Sequence, residues 1–203
     1  MIELLNKTAD AFSRRGFDAY VAKNSEEAQK IVLRLISKGE SITWGGSATL
    51  ASLGLPALLK REGHTVFDRE EVSPAERNAF SRQHFFSDWF LMSANAVTED
   101  GELFNIDGNG NRVASLIFGP KNVIVLVGRN KITPDLPAAE TRAREVAAPR
   151  NATRFPITTP CKKSGSCADC LSPDTICASF VRTRFCKPKG RIKVILIDED
   201  LGF

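Results

Sequence analysis

The run Val123-Ile124-Val125-Leu126-Val127 does most to restrict what this chain can fold into. Successive side chains of a strand point to opposite faces, and here both faces are apolar, so a strand over 122–127 has to be covered on both sides. That is the setting of a central strand in a parallel sheet with helices on each face. The residues around it, 93–132, carry the densest signal in the chain. An apolar strand ends at Ser93-Ala94-Asn95, and a turn at Glu99-Asp100-Gly101 leads into a short strand over 102–106. Asp107-Gly108-Asn109-Gly110-Asn111 then enters a helical run over 112–118. Glycines let backbone approach a ligand closely, and a helix N-terminus offers unpaired N–H groups, a combination that suits a phosphate or carboxylate. A corner whose Asn and Gly simply adopt positive φ explains the local pattern equally well.

The rest of the chain alternates between helical and extended patterns. Leu4, Leu5, Thr8, Ala11 and Phe12 share one face of a first helix that stops at Gly16, and 17–22 reads as a strand. Ser25 is expected to cap a second helix, with Glu26 and Glu27 in its first turn and Ile31, Val32, Leu35 and Ile36 facing inward. The strand over 41–44 runs into Gly45-Gly46-Ser47, a second glycine loop, and 48–63 reads as helix. After a strand over 64–67, Ser73-Pro74-Ala75-Glu76 has the pattern of a capping box with proline in the first turn, starting a helix to about Ser87. A strand over 89–92 precedes the central stretch, and 134–147 is helical. From Ala148 to Pro173 the alternation breaks into an aperiodic Pro-, Lys- and Cys-bearing segment, long for a loop unless it is functional or clamped. A short helix is expected over 173–181, and 192–197 closes as a strand. Repeated β–α units predict a three-layer α/β sandwich with a mainly parallel sheet, whose ligands sit beyond the C-terminal ends of the strands. Residues 1–150 and 191–203 would form this core, with 151–190 a cysteine-rich segment packed on it.

Composition excludes more than it selects. The 203 residues suffice for a sizeable core, and 42% hydrophobic and 26% charged residues are ordinary for a globular chain. A net charge of +4 allows anionic ligands, but apart from Lys187-Pro188-Lys189-Gly190-Arg191 the cations are scattered, and no helix-turn-helix pattern is present; nucleic acid is not an expected partner. No apolar run is long enough to span a bilayer, and Met1 opens directly on an amphipathic helix, so a cytoplasmic protein without membrane insertion is expected.

Cys161, Cys167, Cys170 and Cys177 form a C-x5-C-x2-C-x6-C pattern in one loop, with Cys186 left over. In a reducing compartment such thiols are poor candidates for disulfides. An iron–sulfur cluster, or zinc as the alternative, would explain how so long a loop holds a shape, with those four cysteines as ligands. A redox-active dithiol or unliganded cysteines also fit the spacing.

Residues 93–131, Gly45-Gly46-Ser47-Ala48-Thr49-Leu50, Thr159-Pro160-Cys161 and the ending Asp198-Glu199-Asp200-Leu201-Gly202-Phe203 together resemble the lactate-utilisation (LUD) domain family, in particular its stand-alone cysteine-rich branch. The resemblance covers nearly the whole chain. It implies the NagB/RpiA/CoA-transferase-like fold group, a ligand pocket between the two glycine loops, homodimerisation, and a role beside iron–sulfur or oxidoreductase proteins in oxidising lactate or related organic acids. The expected ligand is a small organic anion, bound by Gly45, Gly46, Ser47, Thr49, Asn95, Asn105, Gly108, Asn109, Gly110 and Arg112. Isomerase relatives carry a Gly-Ala-Asp turn where this chain has Ser93-Ala94-Asn95, and an amide is no general base. Asp107 is therefore the leading acid–base candidate, with Glu99 or Glu102 as the counterpart of a transferase glutamate; Asp107 as a helix cap and an exposed turn carboxylate are the plain alternatives. Lys131 is a further candidate for binding phosphate or carboxylate. Two other functions remain open from sequence: an isomerase or transferase of sugar phosphates or acyl-CoA with the cysteines as a structural clip, and a ligand-sensing module without chemistry.

Overall fold

The computed structural model describes residues 1–73 and 75–203. In chain order its elements are α1 (Ile2–Arg14), β1 (Asp18–Ala22), α2 (Ser25–Leu35), β2 (Ser41–Trp44), α3 (Ala48–Ser52), α4 (Leu55–Arg61), β3 (Thr65–Phe67), α5 (Arg77–Gln83), β4 (Trp89–Met92), β5 (Ala96–Thr98), β6 (Leu103–Asp107), α6 (Asn111–Ile117), β7 (Asn122–Gly128), β8 (Ile132–Thr133), α7 (Leu136–Arg142), α8 (Ala148–Ala152), α9 (Pro160–Ser164), β9 (Ser179–Thr183) and β10 (Ile192–Ile197).

Among the described residues six strands form one parallel sheet in the order β1-β10-β7-β4-β2-β3. The two-sided apolar run is β7, near its centre. Ile124 and Leu126 pack with Trp44, Leu91, Ile195 and Ile197 under α2, α3 and α4. Val123, Val125 and Val127 pack on the opposite face with Phe90, Met92, Val194 and Leu196 under α1 and α6. Burying both faces of one strand is what makes the fold a three-layer α/β sandwich. The chain visits β3 on one side of β2 and then returns to β4 on the other. The C-terminal ends of β2 and β4 therefore diverge into a crevice, as they do at the switch point of open α/β sheets.

A second, mixed sheet was not expected from the sequence. Its order is β8-β5-β6-β9, with β5 parallel to β8 and β6 antiparallel to both β5 and β9. It begins where β4 and β7 end, and α7 packs on it through Ala139 against Ala96, Phe104 and Ile106.

Several boundaries differ from the sequence reading. Asn24, not Ser25, caps α2, its side chain accepting from Glu27 N–H at 2.9 Å. Gly54 at φ +61° divides the helix expected over 48–63 into α3 and α4. The Ser73 N–H donates to the Glu76 carboxylate at 3.2 Å as a capping box predicts, but the helix starts at Arg77; Pro74 lies outside the described residues. The helical path after Leu136 runs through a wide π-turn at Ala143–Ala147 into α8, beyond the expected end at Ala147. Residues 179–183 are the edge strand β9, not part of a helix. No helix among the described residues is long and apolar enough to cross a membrane.

Candidate functional site

The ends of β2, β4 and β7 open into a cleft of about 720 Å³, walled by Gly45 to Thr49, Ser93 to Asn95, Ile106 to Asn109, Arg112 and Lys131. Among the described residues five cationic side chains line it, Arg69, Arg77, Arg112, Lys131 and Arg154, against the carboxylates of Glu70 and Asp107. Glu70 is already engaged by Arg77 at 3.1 Å. A methyl group placed on Gly46 would lie 3.6 Å from Arg69 Nη1 and 3.9 Å from Arg154 Nη2, so both guanidinium groups face the bare backbone of the first glycine loop.

Arg112 is the keystone beneath this surface. Its Nη1 donates to Ser93 O at 2.9 Å and Asn105 Oδ1 at 2.7 Å, while Nη2 donates to Asn95 Oδ1 at 3.0 Å and Ile106 O at 2.7 Å. One planar fork thus ties the end of β4 to β6. Burial lowers the basicity of the guanidinium, and Asp107, 3.6 Å from Nε, partly offsets that effect.

Lys131 lies deeper, 3% exposed, just beyond the end of β7. Its Nζ is 3.0 Å from both Thr49 Oγ1 and Ser93 Oγ and 3.2 Å from Ala94 O. No carboxylate pairs with it among the described residues. Burial, then the positive charges of Arg142 and Arg112, pull its pKa down to about 7. An amine poised between its two protonation states at neutral pH is a chemically capable group.

Beside the cleft, a smaller cavity of about 110 Å³ is lined by Cys161, Cys167, Cys170 and Cys177, with Arg144, Thr159, Asp169 and Phe180. The thiols are close enough to feel one another: burial first, then the charges of Cys161, Cys167 and Cys170, push Cys177 up to about 11. All are free. No three His, Cys, Asp or Glu side chains among the described residues already converge on a point that would hold a single metal ion. Cys186 is elsewhere, buried in the α1 layer, with Sγ 3.2 Å from Pro188 O and accepting from Ile192 N–H at 3.3 Å.

The sequence profile of the LUD domain matches residues 5–197. The chain belongs to the LUD domain family. Its fold is similar to that of a DUF162-family protein from Deinococcus radiodurans, at 16% identity over 97% of each chain with a TM-score of 0.57. It is more distantly similar to the tetrameric eIF2B β2δ2 complex from C. thermophilum, at 15% identity over 93% of this chain and 53% of that one, with a TM-score of 0.38. No curated protein matches.

Within this LUD domain the residues singled out by sequence separate into three groups. Gly45, Gly46, Ser47, Thr49, Asn95, Asp107, Gly108, Asn109 and Arg112 line the cleft together. Asn105 and Gly110 do not: Asn105 is wholly buried and holds Arg112 from below, and Gly110 supplies the left-handed turn before α6 at φ +74°. Glu99 is not at the cleft either; it pairs with Lys7 at 3.0 Å, as an exposed turn carboxylate does. Asp107 is at the cleft but is occupied. Its Oδ1 accepts from Asn109 N–H at 3.1 Å and Gly110 N–H at 2.9 Å, and Oδ2 from Val113 N–H at 3.2 Å, so it fastens the loop to α6. Ser47 is similarly the cap of α3, accepting from Leu50 N–H at 3.3 Å. Since α3 has 5 residues and α6 has 7, their dipoles add little, and the cationic side chains carry the field of the cleft.

Sequence reading missed Arg69, Arg77, Arg154 and Ser93, and the buried state of Lys131. Ser93 and Lys131 had a usable signal, since Ser93 directly follows β4 and Lys131 comes three residues after the end of β7. The arginines had none, because their loops reach the cleft only after folding. His84 is buried against Phe80 and Phe90, and burial followed by the charge of Arg69 lowers its pKa to about 4.

Proposed function

We propose that this LUD domain binds a small organic anion, a carboxylate or phosphate, in the cleft, and takes part in oxidising lactate or a related organic acid. One observation carries the reading: four arginines and the half-protonated amine of Lys131 line a glycine-bearing crevice at the switch point of the sheet, with two carboxylates already engaged in pairs or loop bonds. An anion entering this crevice meets preorganised guanidinium donors in excess of the internal counter-ions, Glu70 against Arg69 and Arg77 and Asp107 against Arg112. Calorimetric titration with lactate, pyruvate and inorganic phosphate tests it. Binding should weaken at least tenfold in an Arg69→Gln/Arg154→Gln variant, and an affinity indifferent to both arginines would refute the assignment of the site.

The cysteine segment is assigned to an iron–sulfur cluster, with Cys161, Cys167, Cys170 and Cys177 as ligands and zinc as the alternative. The donor set suits such a group. Four thiols line one cavity, and a bound cation would offset both the burial and the charges of Cys161, Cys167 and Cys170 that raise Cys177. Such a cluster would supply one-electron transfer beside the anion. Thr175 and Ile176 line both cavities, so oxidoreductase partners would exchange electrons through this segment. Iron and acid-labile sulfide on protein purified without oxygen, absent from Cys167→Ser/Cys170→Ser, would support it; zinc alone would make the segment a clip. The expected homodimer has a candidate face in the exposed Phe86, Ile117 and Phe118, and sedimentation of a Phe86→Ser/Phe118→Ser variant tests that.

Isomerase or transferase chemistry is a second reading with one specific support, the buried amine of Lys131 beside the Ser93 hydroxyl. Turnover of sugar phosphates or acyl-CoA that is lost in Lys131→Met would favour it.

A further inference from the structure

Anion binding alone does not account for Lys131. A residue serving only as a counter-charge is better placed at the surface of the cleft, as Arg69 and Arg154 are. Lys131 instead sits below it, where burial and two guanidinium groups oppose its charge. Its surroundings also satisfy a neutral amine. Such an amine has two N–H bonds and one lone pair; it can donate to Ala94 O and to one hydroxyl, while the other of Thr49 and Ser93 donates to the lone pair. A desolvated lysine beside cationic groups is how proteins make an amine nucleophilic at neutral pH.

Resting on the anion-binding reading of the cleft, we propose that Lys131 forms an imine with the carbonyl carbon of a small 2-oxo acid. The Nζ lone pair forms the C–N bond, and the carbonyl π pair moves to oxygen, which takes up a proton released from Nζ. The C–O bond of this carbinolamine then breaks. Its oxygen leaves as water after taking one proton from solvent through the Ser93 hydroxyl, 3.0 Å from Nζ, and an iminium remains. A carboxylate on the adjacent carbon supplies the iminium with the negative charge that no carboxylate among the described residues gives Lys131, and adds to the single carboxylate, Asp107, that faces Arg112. This requirement selects a 2-oxo acid over a neutral aldehyde or ketone. Residues 201–203 lie across the approach: a methyl group on Gly202 would be 3.3 Å from Nζ, and Leu201 O is 3.4 Å from Thr49 Oγ1. This strap has to draw back for the substrate to reach the amine.

The test is reductive trapping. The full chain is incubated with pyruvate and cyanoborohydride at neutral pH and mapped by peptide mass spectrometry, with the exposed lysines Lys7, Lys30 and Lys163 as internal references. Lys131 should carry the reduced adduct at least tenfold faster than those references, lactate should slow the labelling because it has the carboxylate but no carbonyl, and Lys131→Met should lose it. Since the map is read on the unaltered protein, a variant that fails to fold leaves the result intact. Pyruvate that binds calorimetrically yet leaves Lys131 unlabelled, or labels it no faster than surface lysines, overturns the imine and leaves the anion site standing. Absence of both labelling and binding of pyruvate, lactate or phosphate overturns both.

Discussion

Replacing Lys131 by methionine should stabilise the fold at neutral pH, and by an amount that depends on pH. In the unfolded chain this lysine keeps a pKa near 10.5, whereas in the fold it falls to about 7. Between those values the unfolded state holds a proton that the folded state does not, so the residue costs stability at low pH and the cost fades as pH rises from 7 to 10.5. A gap of this size is worth about 5 kcal/mol at pH 7 and below, at roughly 1.4 kcal/mol per pH unit. Lys131 is 3% exposed, so solvent screening removes little of it. Methionine has no charge to desolvate and nearly the same length, but it gives up the bond to Ala94 O and leaves Thr49 and Ser93 to satisfy each other, at a cost of about 1–3 kcal/mol. The variant should therefore be more stable than the parent by about 2 kcal/mol at pH 6.5–7. The difference should move by about 3 kcal/mol in the parent's favour by pH 9.5, leaving the variant about 1 kcal/mol the less stable, because the parent gains stability over that interval and the variant does not. Urea denaturation of both proteins at pH 6.5, 8 and 9.5 gives the difference directly, and other groups that titrate there cancel. A difference that stays flat across this range would show that the amine is not held near neutrality, and would remove the physical basis for its proposed chemistry.

Three further perturbations test the surroundings. His84 is held neutral with a pKa of about 4, against 6.5 when unfolded. Its contribution is therefore complete above pH 6.5 and lost as pH falls toward 4, about 2 kcal/mol between pH 7 and 5; His84→Phe should flatten that slope in urea titrations. Arg112→Lys keeps the charge but cannot reproduce four bonds from one planar fork. It should cost about 2–4 kcal/mol in urea denaturation and weaken anion binding, whereas a near-neutral result would mean that water replaces the lost donors. Gly202→Ala places a methyl group 2.5 Å from Thr49 Oγ1 at a φ of +63°, so the strap should lift; Lys131 should then react severalfold faster with a small amine reagent, read by peptide mapping.

How far the sequence disclosed this molecule depended on how local each cause was. The strand β7 was legible because both of its faces are written in consecutive residues, and Gly45-Gly46-Ser47 and Asp107 to Arg112 were legible because glycine loops mark strand ends. The helix through Ala143–Ala147 was cut short in the sequence reading because Pro149 lacks an N–H and ordinarily ends a helix. The π-turn just before it changes the bonding register there, and the path continues through Pro149 into α8. The segment Ser179-Phe180-Val181-Arg182-Thr183 is too short for periodicity to separate helix from strand, and its pairing with Leu103 to Asp107 joins residues far apart in sequence. Lys131 is the extreme case: its character comes from Thr49, Ser93, Arg112 and Arg142 converging from four separate elements.

The same convergence decides how the cysteine segment relates to the cleft. It is built into the fold rather than appended to it. The strand β9 extends the small sheet from β6, Ala178 N–H donates to Asp107 O at 3.1 Å, and a methyl group on Gly108 would lie 3.0 Å from Ile176 Cα. The backbone of the second glycine loop is therefore in van der Waals contact with the backbone that precedes Cys177. Packed interiors transmit such displacements because they have no slack to absorb them. Asp107 is fixed on one side by the loop and α6 and on the other by the β9 strand, and Arg112 reads the position of both through Asn105 and Ile106. The shape of the cleft and the order of the thiol-bearing segment are consequently set by one set of contacts. A group that ordered the four cysteines would act on the wall of the cleft as well, which gives a physical reason for both features to occur in one small domain.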